Sequence, residues 1–266
     1  MLEIITPKKA THARVALFDF DGTLSLIRAG WMDVMVPMML EALVATRSGE
    51  SEEQLTAVVQ EFVGRLTGKQ TIYQMFALVE EIEKRGGTPE DALVYKKRYL
   101  DLLQETIKDR LEALESGNID PDTYAVPGSR ALLDGLKERG FKMYLASGTD
   151  QDYMRHEADL LGFSSYFDGG VFGALDDYKS FSKKILIDRI ISGAEFAGEQ
   201  FLGFGDGYVE IENVHQVGGV TVGVATDEPD CKKVDQWKRD RLVNVGADYI
   251  VPHYQDRDAL FAALFD

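Results

Sequence analysis

The segment Asp19-Phe20-Asp21-Gly22-Thr23 sets two carboxylates one residue apart, directly after a short apolar run within residues 14–19 (RVALFD). Such a run reads as a buried strand. In a parallel sheet the ligand crevice lies beyond the carboxyl ends of the strands. Once the chain bends at Gly22, which tolerates backbone angles that other residues avoid, both carboxylates can face one site. The plainer alternative is an acidic turn, because Asp-Gly is a common turn dipeptide.

Three further segments bear on that choice. Residues 141–147 (FKMYLAS) form another apolar run that leads into Ser147-Gly148-Thr149, a hydroxyl and backbone amides where a helix begins. Amides at a helix N-terminus suit a phosphate oxygen, although Ser or Thr there can equally be an N-cap. Residues 200–206 (QFLGFGD) end in Asp206, with Glu210 four residues on. A carboxylate at that strand end could meet Asp19 on a hard cation such as Mg²⁺. Lys183 follows Ser182 at the start of a helical stretch, where a cation opposes the helix dipole and a nearby anion would explain it. Lys179 is its rival, and Lys184 also lies close.

These residues need a frame. The 266-residue chain is long enough for a core domain that carries an inserted smaller one. Beyond the runs already named, residues 171–172, 220–225 and 249–251 read as strands. Between them, helical periodicity runs through Leu132, Leu133 and Leu136 to Gly140. It recurs through Met154, Ala158 and Leu161 to Gly162, and through Ile185, Leu186 and Ile190 after Ser182. Strands alternating with helices of this size predict an α/β fold with a doubly wound parallel sheet. Residues 28–117 differ, showing helical stripes such as Leu55, Val59, Phe62 and Leu66, or Leu100, Leu103, Ile107 and Leu114. A helical domain over residues 28–121 is therefore expected inside a core made of residues 1–27 and 122–266. Met32, Met35, Met38 and Met39 read as adaptable packing within it.

Composition excludes several partners. With 45 acidic against 29 basic residues the net charge is −16, which repels nucleic acid and anionic lipid. No stretch approaches the length of a membrane span. The single cysteine, Cys231, fits a reducing compartment, and the first residues lack a leader pattern, so a cytoplasmic location is expected. His12, His156, His215 and His253 have no metal-ligand spacing.

Taken together, the four segments resemble the haloacid dehalogenase superfamily, specifically its phosphatase branch, over residues 14–25 and about 123–266. All four family motifs occur in order, and DFDGT is the specific one. The resemblance implies a magnesium-dependent phosphohydrolase with a Rossmann-like core. It implies Asp19 as nucleophile, Asp21 as general acid/base, Ser147 and Lys183 as phosphate-binding groups, and Gly148 and Thr149 beside them. Asp19, Asp21 (through its carbonyl), Asp206 and Glu210 would then serve the Mg²⁺. Many relatives have Pro after the third-motif lysine, which none of the three lysines here does. Glu210 stands where Asp is common.

The inserted helices resemble the helical cap found between the first two motifs in one subclass, which selects substrate. Lys69, in Thr67-Gly68-Lys69-Gln70, and Arg28 near the hinge are the candidate substrate contacts, whereas Trp31 is expected to pack inside the cap. The expected substrate is a small phosphorylated metabolite, with a sugar phosphate as one form. A β-phosphoglucomutase-like mutase, a phosphonate hydrolase using Lys69, and a non-catalytic binding module are the alternatives.

Overall fold

Seven segments pair into one sheet in the computed structural model, which describes residues 2–175, 177–178, 180, 182–193 and 196–266. The strands are Glu3–Ile4 (β1), Val15–Phe18 (β2), Lys142–Asp150 (β3), Gly170–Ala174 (β4), Phe201–Gly205 (β5), Val220–Val224 (β6) and Tyr249–Val251 (β7). Their order across the sheet is β1-β7-β6-β5-β2-β3-β4, and every pair is parallel except the edge pair β1–β7. Sequence reading missed β1, since two residues are too short for any periodicity to show.

β2 shows why the sheet is doubly wound. Val15 and Leu17 pack with Leu186, Ile187, Ile190 and Val214, while Ala16 and Phe18 belong to the cluster holding Leu132, Leu136, Met154 and Leu260. Alternate residues of one strand thus meet helices on opposite faces, as the two-residue period demands. The core helices are Ser129–Glu138 (α5), Gln151–Leu160 (α6), Lys183–Ser192 (α7), Tyr208–Gln216 (α8), Gln236–Asn244 (α9) and Arg257–Phe265 (α10). Ser182 caps α7 as expected, its hydroxyl accepting from the amide of Ile185 at 3.1 Å.

Between β2 and α5 lie four α-helices: Trp31–Val44 (α1), Glu52–Leu66 (α2), Thr71–Lys84 (α3) and Ala92–Glu115 (α4). The helical stripes are the inside of this insertion. Leu55, Val59, Phe62, Met75, Leu103 and Ile107 are all buried, together with Met35, Met38 and Met39. Ser51 and Gln54 form a reciprocal capping box that starts α2. No helix among the described residues is long and apolar enough to cross a membrane.

The fold places the chain's reversal point beside β2. From β2 the chain goes to β3 and β4 on one side, then returns to β5 on the other. The crevice beyond β2, β3 and β5 is therefore where a parallel sheet of this kind binds ligands.

Candidate active site

β2 delivers the two aspartates through a tight turn. The carbonyl of Phe20 accepts from the amides of Thr23, Leu24 and Ser25, and Gly22 adopts a φ of +70° that closes the turn. A side chain at Gly22 would also strike Asp206, since a Cβ there would lie 2.3 Å from Oδ2. Gly22 thus serves both the bend and the close approach of Asp206. The buried hydroxyl of Thr23 accepts from the amide of Asp206 at 2.9 Å, pinning the end of β5 to the β2 turn.

Asp19 is 6% exposed. Its Oδ1 accepts from the amide of Phe20 at 2.8 Å and is 3.0 Å from Lys183 Nζ. Asp21 turns towards β3, where its Oδ2 accepts from the hydroxyls of Thr149 at 2.8 Å and Ser147 at 3.4 Å. Its Oδ1 is buried without a hydrogen bond among the described residues, 3.9 Å from Arg28 Nε. Arg28 itself is buried and grips Glu157 of α6 through Nε and Nη2, at 2.7–3.1 Å.

β3 departs from the expected strand-to-helix step. It runs on to Asp150, with its register to β4 irregular between Ala146 and Asp150, so Ser147, Gly148 and Thr149 lie in that irregular stretch before α6 begins. Thr149 and Asp150 do not cap α6 with their side chains. Thr149 is spent on Asp21, and the Asp150 carboxylate pairs with Lys96 of α4 at 2.6 Å. Both side chains are thus spent on partners other than the helix end, Thr149 within the site and Asp150 on α4.

Lys183 is buried at the start of α7, and its ammonium contacts Asp19 at 3.0 Å and Glu210 Oε2 at 2.6 Å. Those anions are the reason a lysine is tolerated against the helix dipole. Lys184 points elsewhere, into an exposed pair with Asp188. Lys179 lies outside the described residues. Glu210 is fully buried; its Oε1 accepts from the Gly207 amide at 2.9 Å, so it orients Lys183 and closes the first turn of α8 at once.

A second cation escaped sequence reading. Lys238, in the first turn of α9, contacts Asp206 Oδ2 at 2.9 Å and Glu228 Oε1 at 2.5 Å. The argument applied to Lys183 would have found it, because it too is a lysine at a helix start. The Arg28–Glu157 pair joins residues 129 positions apart and carried no local signal.

The turn between α2 and α3 sits directly on the strand ends. A Cβ on Gly207 would be 2.9 Å from Gly68 Cα, and one on Gly148 would be 2.7 Å from the Lys69 carbonyl. Backbone therefore meets backbone at both points, which only glycine permits. Beneath the turn is a cavity of about 90 Å³, walled by Asp19, Asp21, Ser147, Gly148, Thr149 and Asp206 from the core. Arg28, Trp31, Met35, Lys69, Gln74 and Tyr99 close it from the insertion side. Trp31 thus faces the cavity instead of only packing among the helices. Lys183 and Glu210 lie behind Asp19, off the wall.

Oxygens of Asp19, Asp206 and Glu210 lie within 4.8 Å of one another, a spacing a single divalent cation can bridge. They are the one such group among the described residues, and the Asp21 carboxylate is not part of it. All-oxygen donors suit Mg²⁺. The crowding agrees: among the described residues, the six carboxyl groups of Asp19, Asp21, Glu157, Asp206, Glu210 and Glu228 share three ion-pair partners, Arg28, Lys183 and Lys238. Burial pushes Asp19 up to about 6 against the pull of Lys183, with Asp206 reinforcing the rise. Burial likewise lifts Asp21 to about 6, opposed by Arg28. Glu210 is raised to about 8 by burial, again against Lys183. Burial would lower Lys183, but Asp19 and Glu210 outweigh it and keep the ammonium charged.

Comparison with known proteins places this fold. Solved structures that share the fold include a predicted phosphatase from Clostridium acetobutylicum, 18% identical, with a TM-score of 0.60 over 95% of this chain and 99% of that one. A predicted phosphoglycolate phosphatase from Haemophilus somnus matches at 15% identity and a TM-score of 0.57, covering 94% and 98%. A β-phosphoglucomutase from Clostridium difficile matches at 14% and 0.55, covering 87% and 98%. No curated protein sequence gives a significant match. The family profile of haloacid dehalogenase-like hydrolases matches residues 13–218, from just before β2 to just after α8. The chain belongs to the haloacid dehalogenase-like hydrolase family.

Proposed function

We propose that the protein is a Mg²⁺-dependent phosphohydrolase acting on a small phosphomonoester in the cytoplasm, through an aspartyl-phosphate on Asp19. The observation that carries this reading is the convergence of Asp19 with Asp206 and Glu210, from two separate chain segments, to within 4.8 Å. Asp19 and Asp206 would hold the cation, with the Asp21 carbonyl and Glu210 in support. Held by these residues, Mg²⁺ would supply the positive charge that lets phosphate oxygens approach the surrounding carboxylates.

The chain's own groups perform the chemistry. Asp19 Oδ1 is engaged by Phe20 and Lys183, so Oδ2 is the oxygen left to attack phosphorus. As the new O–P bond forms, the ester O–P bond breaks, and protonated Asp21 donates to the departing oxygen. A carboxyl raised to about 6 can hold that proton near neutral pH. Water then attacks phosphorus, Asp21 takes its proton, and inorganic phosphate leaves with the Asp19 carboxylate restored. Ser147, Thr149 and the amide of Gly148 border the cavity where the phosphate oxygens would sit. The helical insertion acts as the cap, with Lys69, Arg28 and Tyr99 facing the rest of a substrate small enough for about 90 Å³.

The test is phosphate release from p-nitrophenyl phosphate and a panel of phosphorylated metabolites, with Mg²⁺ and with EDTA. Release that EDTA abolishes is the expected result. No release from any monoester would overturn the reading. Conversion of a hexose 1-phosphate to its isomer without free phosphate would replace hydrolysis by a mutase reaction.

A further inference from the structure

Lys238 and Glu228 take no part in the chemistry just described, yet they touch one of its central groups. Lys238 Nζ, Asp206 and Glu228 form a nearly enclosed triad, with side chains only 13%, 13% and 17% exposed. The lysine is fixed from its backbone, because its amide donates to the N-cap carboxylate of Asp235 at 2.9 Å. The Asp206 carboxylate is boxed on its outer side. Oδ2 meets the ammonium at 2.9 Å and presses on the Gly22 backbone, where even a methyl group would lie 2.3 Å away. Glu228 Oε1 abuts the same glycine, where a Cβ would lie 2.8 Å from it. The triad also separates two spaces. Asp206 and Glu228 line both the catalytic cavity and a larger cleft of about 620 Å³ between α1, α2 and α9, whose wall includes Lys238 and Trp237.

Building on the Mg²⁺-dependent reading above, we infer that Lys238, steadied by Glu228, is a positioning residue that holds one oxygen of Asp206 and restricts that carboxylate to single-oxygen ligation, favouring Mg²⁺ over Ca²⁺. The reasoning is coordination chemistry. Mg²⁺ takes six ligands in a tight octahedron and keeps several waters, so one oxygen per carboxylate suffices. Ca²⁺ takes six to eight ligands and gains from carboxylates that ligate through both oxygens. With Oδ2 committed to an ammonium, Asp206 cannot offer both. Glu228 balances the lysine's charge, so that the ammonium holds Asp206 without cancelling its attraction for the cation.

The two residues therefore act on the cation with opposite signs, which a merely structural role would not produce. Calorimetric titration of Mg²⁺ and of Ca²⁺ into the wild-type protein, Lys238→Met and Glu228→Gln reads this directly. Lys238→Met should tighten Ca²⁺ by about tenfold or more and Mg²⁺ by less, so the Ca²⁺-to-Mg²⁺ affinity ratio rises. Glu228→Gln should weaken Mg²⁺ several-fold without raising that ratio. Circular dichroism and melting confirm that each variant is folded. An unchanged ratio in folded Lys238→Met, or equal loss of both ions, would overturn the inference. Should Lys238→Met fail to fold, Glu228→Gln decides alone, and unchanged or stronger Mg²⁺ binding in it would refute the role. Wild-type protein that binds no Mg²⁺ overturns this inference and the functional reading together. Wild-type protein that binds Mg²⁺ but turns over no monoester overturns only the functional reading, and the ratio still judges Lys238.

Discussion

Carboxylates at the strand ends and carboxylates on the helical insertion are the same groups in opposite circumstances. At the strand ends, burial raises Asp19 and Asp21 to about 6 even with Lys183 and Arg28 beside them. On the insertion, Glu50 is lowered by its bonds to Arg85. Burial would raise Glu81, but Lys84 and Arg85 outweigh it, so its carboxyl is lowered as well. Both regions surround acids with bases, so the count of partners does not separate them. The difference is how much water each carboxylate has lost and how many other carboxylates share its space. Near the surface an ion pair is a small convenience to the fold. At the strand ends the crowding is a burden that a proton or a bound cation would relieve, and that burden is the mark of a site built for something other than stability.

The sharpest break of this comparison is Asp19→Asn. Turnover should fall by roughly 10⁴-fold or more, because the amide cannot attack phosphorus. Melting temperature at pH 7 should nevertheless rise, by the equivalent of about 1–2 kcal/mol. The sign follows from a folded value near 6 against an unfolded one near 3.8. Protonated Asp19 favours the fold below the lower value, and that contribution is lost as pH rises through about 6. The stability gain of the variant should therefore be present at pH 7 and vanish near pH 4. Melting curves with EDTA at both pH values check it. A variant less stable than wild type at pH 7 would mean the carboxylate is no burden.

That asymmetry was only partly legible in the sequence. Asp19, Asp21 and Gly22 share one turn, so their convergence is a local property that five consecutive residues express. Ser147, Lys183 and Asp206 stand out as candidates because each follows a strand or opens a helix at a family-like position. What could not be read are pairings set by the packing of distant elements. Arg28 with Glu157, Lys238 with Glu228, and the seating of Gly68 on Gly207 depend on where the insertion docks on the core. Periodicity says which face of a helix is buried and nothing about its azimuth against another domain. Trp31 shows the consequence, since its helical spacing suggested interior packing, whereas the docked α1 presents it to the cavity. The irregular end of β3 was hidden for a different reason. Residues 147–149 read as the start of a helix, but bonds from Ser147 and Thr149 to Asp21 draw them into the site.

Asp21 sharpens the comparison within the site itself, because the proposed reaction gives its raised value a use. In that reaction the protonated form would donate to the leaving oxygen, and its fraction falls as pH rises through about 6. With an alkyl phosphate, whose leaving group needs that proton, kcat/KM should decline above this pH. With p-nitrophenyl phosphate, whose leaving group departs unaided, the decline should be shallower. Asp21→Asn should lower alkyl ester turnover by about 10²–10³-fold and remove the difference between the two profiles. Identical profiles for both esters in the wild-type enzyme would take the proton donor's role from Asp21.

The smallest effect is expected on the insertion. Arg85 pairs with Glu50 at 2.6 Å and with Glu81 at 2.6 Å, joining the loop before α2 to the end of α3. Arg85→Gln should lower the melting temperature by only about 1–3 °C, because pairs near the surface contribute little. Here the sign runs opposite to Asp19. Glu50 and Glu81 have lowered values, so their contribution exists above the unfolded value of 4.5 and is lost as pH falls through the folded one. The deficit of Arg85→Gln should thus be largest near neutral pH, shrink in acid, and shrink again in 1 M salt, where the screening length falls to about 3 Å and weakens even close surface pairs. Catalysis should be untouched. A deficit that persists undiminished in high salt and at pH 3 would show that Arg85 acts through the packing of its stem, and that the insertion, like the strand ends, uses its charged residues for something other than charge.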